Sequence, residues 1–233
     1  MRELIKQTQV AQASFIMRDD EEWPSGLNTL GVLMPIGLWV RGAKEVLRQN
    51  SMSVVGSRTC TIYGEETAMT FASELVISGF VVVSGGAHGI DAAAHRGALA
   101  AGGSTIAILA GGVDQPYPRA HSRLFDAIAE RGCLVSESPP QTSPLRHRFL
   151  VRNRMIAAWS RGTIVVEARA RSGAIATASH AAALGRDVMA VPGPLTSAAS
   201  AGCHALIRDG AVLVCSARDA IELVAGDLLR SMG

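Results

Sequence analysis

Seven short apolar runs punctuate the chain, beginning near Met52, Phe80, Ser104, Gly132, Thr163, Asp187 and Ala211. Each is followed by glycine or a turn signal, and most by an Ala-rich stretch of helical character. Successive runs start 24 to 31 residues apart, about the length that a strand, a helix and two loops consume, so the rhythm predicts repeated βα units. Such units build an α/β fold, a doubly wound and mostly parallel sheet with helices on both faces, joined by right-handed crossovers. The first fifty residues break the rhythm at Trp23-Pro24-Ser25-Gly26 and Pro35-Ile36-Gly37, with Leu38-Trp39-Val40 as a short strand. Residues 1–50 therefore read as a lead-in subdomain packed on the sheet and 51–233 as the main domain. A final apolar helix is expected over Ala220 to Leu229.

Composition agrees with that architecture. Hydrophobic residues make up 48% of the 233 and aromatics only 4%, so Val, Ile, Leu and Ala must build the core, as in parallel sheets covered by helices. No run is long enough to span a membrane and the N-terminus lacks the apolar stretch of a signal peptide, which places the chain in the cytoplasm. Cys60, Cys133, Cys203 and Cys215 include no Cys-x-x-Cys pair, so they read as buried thiols and no metal site is expected.

A net charge of +2 is too small to announce a polyanionic partner. Of the 22 basic residues all but Lys6 and Lys44 are Arg, a bias that genomic base composition explains as well as phosphate recognition does. The distribution says more than the sum. From Pro144 to Arg161 there are five Arg and no Asp or Glu, with Phe149 among them and a helix expected to begin around Arg152, Asn153 and Arg154. A phosphate backbone selects for such one-sidedness, and a ring among arginines offers a surface on which a base stacks. The alternative is that one Arg pairs with Glu137 or Glu167 and the others lie on the surface.

Ligands of open α/β sheets sit beyond the carboxyl ends of the strands, where glycine loops meet helix N-termini. After the first strand, Gly56-Ser57-Arg58-Thr59 leads into a helix from about Gly64 and offers backbone N–H groups, hydroxyls and a guanidinium to one anion. An ordinary βα turn with a surface Arg reads the same. After the second strand comes Ser84-Gly85-Gly86-Ala87-His88-Gly89-Ile90-Asp91. Ser84 stands where a dinucleotide fingerprint needs its first glycine, and the third strand carries no acid for a ribose hydroxyl. There is no P-loop either. An anion-binding loop without nucleotide specificity survives, and no cofactor is implied. Asp91 caps the next helix or shapes the loop, and His88 and His95 read as structural or surface residues. Gly111-Gly112 and Pro192-Gly193-Pro194 bring glycine to two more strand ends, opening a groove along one edge. No nucleophile with a paired base stands at a recognisable spacing, so no catalytic residue is assigned.

Taken in order, these motifs resemble the DNA-processing DprA/Smf family. The series is Val55-Gly56-Ser57-Arg58, Ser84 to Asp91, Gly111 to Pro118, Val135-Ser136-Glu137, Arg152-Asn153-Arg154-Met155-Ile156-Ala157, Val166-Glu167-Ala168 with Ser172-Gly173, and Val191-Pro192-Gly193 with Gly210-Ala211. The resemblance covers about Trp23 to Leu223. It implies an extended Rossmann-like fold, a homodimer, and a basic pocket that takes single-stranded DNA and passes it to a RecA-type recombinase in recombination or natural transformation. Carried over by position, the pocket residues are Arg58, Gly85, Gly86, Arg146, Arg148 and Phe149, with Arg152 nearby, and the motifs add Gly56, Ser57, Ser84 and Asn153. His121 and His204 stand where family members often have Asn, which puts local loop hydrogen bonds in question. Many members carry an N-terminal helical domain and a C-terminal winged helix, for which this chain has no room. Two alternatives stay open. One is a nucleoside monophosphate hydrolase using Glu137 or Glu167, whose glycine loop Pro192-Gly193-Pro194 would interrupt. The other is a sensor that binds a single mononucleotide.

Overall fold

A computed structural model describes residues 2–231, with the side chains of 227–231 left aside. Nine strands form one sheet in the order β1-β2-β6-β5-β4-β3-β7-β8-β9. Seven are parallel and match the seven apolar runs: β3 (Ser51–Val55), β4 (Val81–Ser84), β5 (Thr105–Ile108), β6 (Cys133–Ser136), β7 (Gly162–Val165), β8 (Asp187–Ala190) and β9 (Val212–Leu213). The lead-in residues extend the same sheet. β1 (Ser14–Met17) pairs antiparallel with β2 (Gly37–Gly42), and β2 pairs antiparallel with β6.

Alternation along the central strand assigns the two faces. Met52 and Val54 of β3 pack under α2 (Ile62–Ile77), α3 (Ile90–Ala100) and α8 (Ala217–Ser231), and α4 (Ser122–Arg131) lies beside α3. Ser51, Ser53 and Val55 look the other way, towards α5 (Arg146–Trp159), which packs on α6 (Gly173–Ala183); α7 (Ala201–Arg208) covers β8. The Ser53 hydroxyl donates to the Ile156 carbonyl at 2.9 Å and the Ser51 hydroxyl to Trp159 at 3.4 Å. Small polar residues thus let α5 sit close over the sheet while satisfying carbonyls near its C-terminus. The helix α1 (Arg2–Val10) has no buried residue.

Strand order reverses at β3: β4, β5 and β6 lie to one side, and the chain then crosses by way of α5 to β7, β8 and β9 on the other. This is the topological switch point of a doubly wound sheet, and the loops after β3 and β7 open there. Two expectations about local structure need correction. α5 begins at Arg146, so Arg152, Asn153 and Arg154 lie inside it rather than about its start. Cys215 is exposed and Cys60 half-buried, whereas only Cys133 and Cys203 are buried thiols.

Candidate nucleic-acid interface

At the switch point lies an open cavity of about 650 Å³, lined by the β3–α2 turn, the first turns of α5 and the β7–α6 loop. Its size is that of a small-molecule pocket, but its walls carry Arg58, Arg146, Arg152, Arg169 and Arg171 against one carboxylate, Asp91.

The β3–α2 turn is fixed from below. Thr61 caps α2, its hydroxyl accepting from the Gly64 N–H at 3.1 Å, and the same hydroxyl donates to Glu167 Oε1 at 2.6 Å while the Thr61 N–H donates to Oε2 at 2.9 Å. Ser57 is buried and donates its N–H to the Glu167 carbonyl at 2.6 Å. These bonds leave Arg58 exposed at the rim, its guanidinium carbon 5.0 Å from the centre of the Phe149 ring. Tyr117 meets the same ring edge-on at 5.7 Å. Phe149 is half-buried, so ring and guanidinium form one apolar and cationic wall.

Arg152 is the floor. It is buried, donates through Nη1 to the Ile108 carbonyl, and lies 6.0 Å from the Phe149 centroid. A Cβ on Gly85 would fall 2.2 Å from Arg152 Nη1, so a glycine there is what admits the guanidinium. Burial pulls Arg152 down to about 10, and burial raises Asp91 against the pull of Arg152 and Arg58. Asp91 does not cap α3, whose N-cap is Gly89 with no side-chain bond. It sits inside the helix and accepts from the Ala87 N–H at 3.4 Å, shaping the loop.

The expected residues divide accordingly. Gly56, Ser57, Arg58, Arg146, Phe149, Arg152 and Asn153 line the cavity. Asn153 donates to the Gly173 carbonyl at 3.2 Å and so ties α5 to the start of α6. Ser84, Gly85, Gly86 and Arg148 do not line it. The Ser84 hydroxyl is spent on the Val54 carbonyl at 2.7 Å, and Gly86, at φ +68°, backs onto Phe125. Arg148 lies in the first turn of α5 rather than in a loop and reaches Ser138 Oγ at 3.4 Å. Conversely Tyr117, Arg169, Arg171 and Thr177 line the wall without having been singled out. The arginine-rich stretch Arg169-Ala170-Arg171 before a helix was the available signal.

The carboxylates of a hydrolytic reading are engaged. Glu137 holds Arg154 through two oxygens, at 2.8 and 2.6 Å, and Glu167 serves the α2 cap. His204 Nε2 contacts the Gly193 carbonyl at 3.0 Å, and His121 lies edge-on to His88 at 4.6 Å between ring centres. Among the described residues no group of three His, Cys, Asp or Glu is placed to hold a metal, and no helix is long and apolar enough to cross a membrane.

A doubly wound sheet of Rossmann-like form with a basic, ring-lined cavity at its switch point defines the class. The family profile of the DNA recombination-mediator protein A matches residues 14–225, and the chain belongs to that family. It is 49% identical over 221 residues to the protein designated DNA processing protein DprA in Mycobacterium tuberculosis, covering 90% of this chain but 57% of that one. This chain thus spans little more than half of that relative. The structure of DNA processing protein A from Streptococcus pneumoniae superposes with a TM-score of 0.89 at 39% identity, over 95% of this chain and 77% of that one. The Helicobacter pylori counterpart, solved for its single-stranded DNA binding mode, gives 0.82 at 27% identity, over 93% and 98%.

Proposed function

We propose that the cavity at the switch point is a single-stranded DNA site and that the chain acts in DNA processing by binding a strand and delivering it to a RecA-type recombinase, as a homodimer. The observation that carries the binding step is that four arginines, Arg58, Arg146, Arg169 and Arg171, line one cavity together with Phe149 and Tyr117. Guanidinium groups take phosphates while a half-buried ring takes a base, and a loose strand presents both together. A duplex hides its bases. The single-strand binding mode of the H. pylori relative supports the same reading. Delivery to a recombinase is supported by the family's designation as a recombination mediator, and the dimer by the family resemblance.

On this reading the role is binding rather than hydrolysis, because Glu137 and Glu167 are committed to Arg154 and Thr61. Catalytic use of either would first require breaking those bonds. The experiment that separates the groove from a mononucleotide sensor is a length series. Affinity for thymidine oligonucleotides should climb as the strand lengthens from one nucleotide to beyond about ten, since a groove collects more phosphates and bases. An affinity that is flat from the mononucleotide onward would refute the groove.

A further inference from the structure

A second cavity, of about 210 Å³, opens at the other end of the sheet. It lies where β3, β7 and β8 begin, so the five residues of β3, about 16 Å of strand, separate it from the groove. Asn50 precedes β3, Arg161 precedes β7 and Arg186 precedes β8, and these three strands are neighbours. The strands themselves therefore bring Arg161 and Arg186 together, and Arg48 joins them from the turn before β3.

The lining has donors in excess. It contains Arg48, Arg161, Arg186, Asn50 and Trp159, and no Asp or Glu. Arg161 donates through Nε and Nη2 to one oxygen, Asn50 Oδ1, at 3.1 and 3.0 Å. Arg186 donates to the carbonyls of Ser160 and Gly26, and its Nε has no partner among the described residues; neither has the buried indole N–H of Trp159. Among the ion pairs of the described residues these three arginines contribute one, Arg48 to Glu21 at 3.7 Å on the exposed rim. Two guanidinium groups that line one cavity with no acid in its lining repel, and Arg161 does depress the Arg186 pKa, after burial as the larger cause. An oxyanion removes that repulsion and fills the vacant donor capacity.

We infer that this cavity is a second oxyanion site, separate from the groove, that takes one phosphate group between Arg48, Arg161 and Arg186. Its volume is below the roughly 300–1,000 Å³ of pockets that enclose a whole small ligand, so it accepts a phosphoryl group and excludes a nucleoside. The group is either inorganic phosphate or a small phosphoester, or else a phosphate of a DNA strand.

The test uses the full chain carrying Arg58→Ala, which weakens the groove, with and without Arg161→Gln. Arg161 is exposed, and among the described residues its side chain hydrogen-bonds Asn50 alone, while its backbone N–H donates to the Ser51 carbonyl in any variant, so its replacement spares the fold; Arg48→Gln is the second variant. Thermal unfolding is followed against inorganic phosphate, with chloride at matched ionic strength as control, because a ligand that binds only the folded state raises the midpoint. The expected result is a phosphate-specific rise that persists in Arg58→Ala and weakens about tenfold in apparent affinity with Arg161→Gln or Arg48→Gln, the order of one charge-assisted hydrogen bond. A response that is equal with and without Arg161 overturns the proposal, as does the absence of any phosphate-specific rise. A parallel titration of a thymidine oligonucleotide in otherwise wild-type protein identifies the source. Loss of oligonucleotide affinity in Arg161→Gln assigns the site to a DNA phosphate, and unchanged affinity assigns it to free phosphate or a small phosphoester.

Discussion

At the residue scale, Arg58 and Phe149 act as one unit. The guanidinium lies 5.0 Å from the ring centre, so a base that stacks on Phe149 either shares the ring with Arg58 or displaces it. Removing either should cost about 1–3 kcal/mol of single-strand affinity, and the double variant should cost less than the sum, because neighbouring groups couple. Additive losses in anisotropy titrations would mean that the two contact the strand independently. A different residue governs acid stability. His95 is fully buried, and the one proton of Thr105 Oγ1 goes to the Val82 carbonyl at 2.7 Å. His95 must therefore donate to that oxygen through Nδ1, at 2.7 Å, leaving Nε2 bare and without a partner among the described residues. Burial, then the nearby Arg152, pushes the imidazole from 6.5 to about 3. The unfolded chain takes up a proton that the folded one refuses, so stability present above pH 6.5 is lost as the pH falls towards 3, by up to about 1.4 kcal/mol per pH unit. His95→Gln should lack that slope, so the slope should appear as the pH dependence of the difference between variant and wild type in denaturant melts. Asp91, whose pKa is raised, contributes with the opposite sign in both proteins and leaves the difference intact. An acid limb unchanged by the substitution would show that His95 titrates freely.

At the element scale, α5 brings Arg146, Phe149, Arg152 and Asn153 to the site and is held by its own ion pair. Arg154 and Glu137 are 11% and 24% exposed in their side chains, with Arg154 also donating through Nε to the Leu33 carbonyl at 2.9 Å. Glu137→Ala strands a mostly buried guanidinium and should cost about 3 kcal/mol of stability. A chemical-denaturation midpoint that does not move would release Glu137 from this structural role and reopen the hydrolase reading. The same helix shows what the sequence could and could not reveal. All seven parallel strands were legible, because buried parallel strands are short continuous apolar runs that recur at the length of a βα unit. The start of α5 was not. From Arg152 to Trp159 every residue is buried, since the helix lies between the sheet, α6 and residues 25–33, and a helix buried on all sides has no amphipathic stripe to mark its register. Pro144, which disfavours helix in the residue before it, was the better boundary marker.

At the scale of the whole molecule, the sequence located the binding edge but not which groups face it. Arg58, Arg146 and Phe149 reach the cavity, whereas Ser84 turns its hydroxyl back to β3 and Arg148 turns to Ser138. Loop position is encoded in glycines and strand ends, but side-chain direction is decided by hydrogen-bond partners far away in sequence. Arg169 and Arg171 were missed for the complementary reason: they follow β7, and only the crossover through α5 brings that strand beside β3. The central claim is that these distant segments form one phosphate-binding groove for an unpaired strand. It is tested most directly by anisotropy of a labelled thymidine oligonucleotide across a range of salt, with wild type and Arg58→Ala, and with duplex DNA and a mononucleotide as competitors. If about four phosphates are neutralised, log affinity should fall against log salt with a slope near −3 in wild type, at about −0.7 per phosphate, and nearer −2 in the variant. Neither competitor should displace the strand at equal nucleotide concentration. A flat salt dependence, or displacement by the mononucleotide, would contradict the groove.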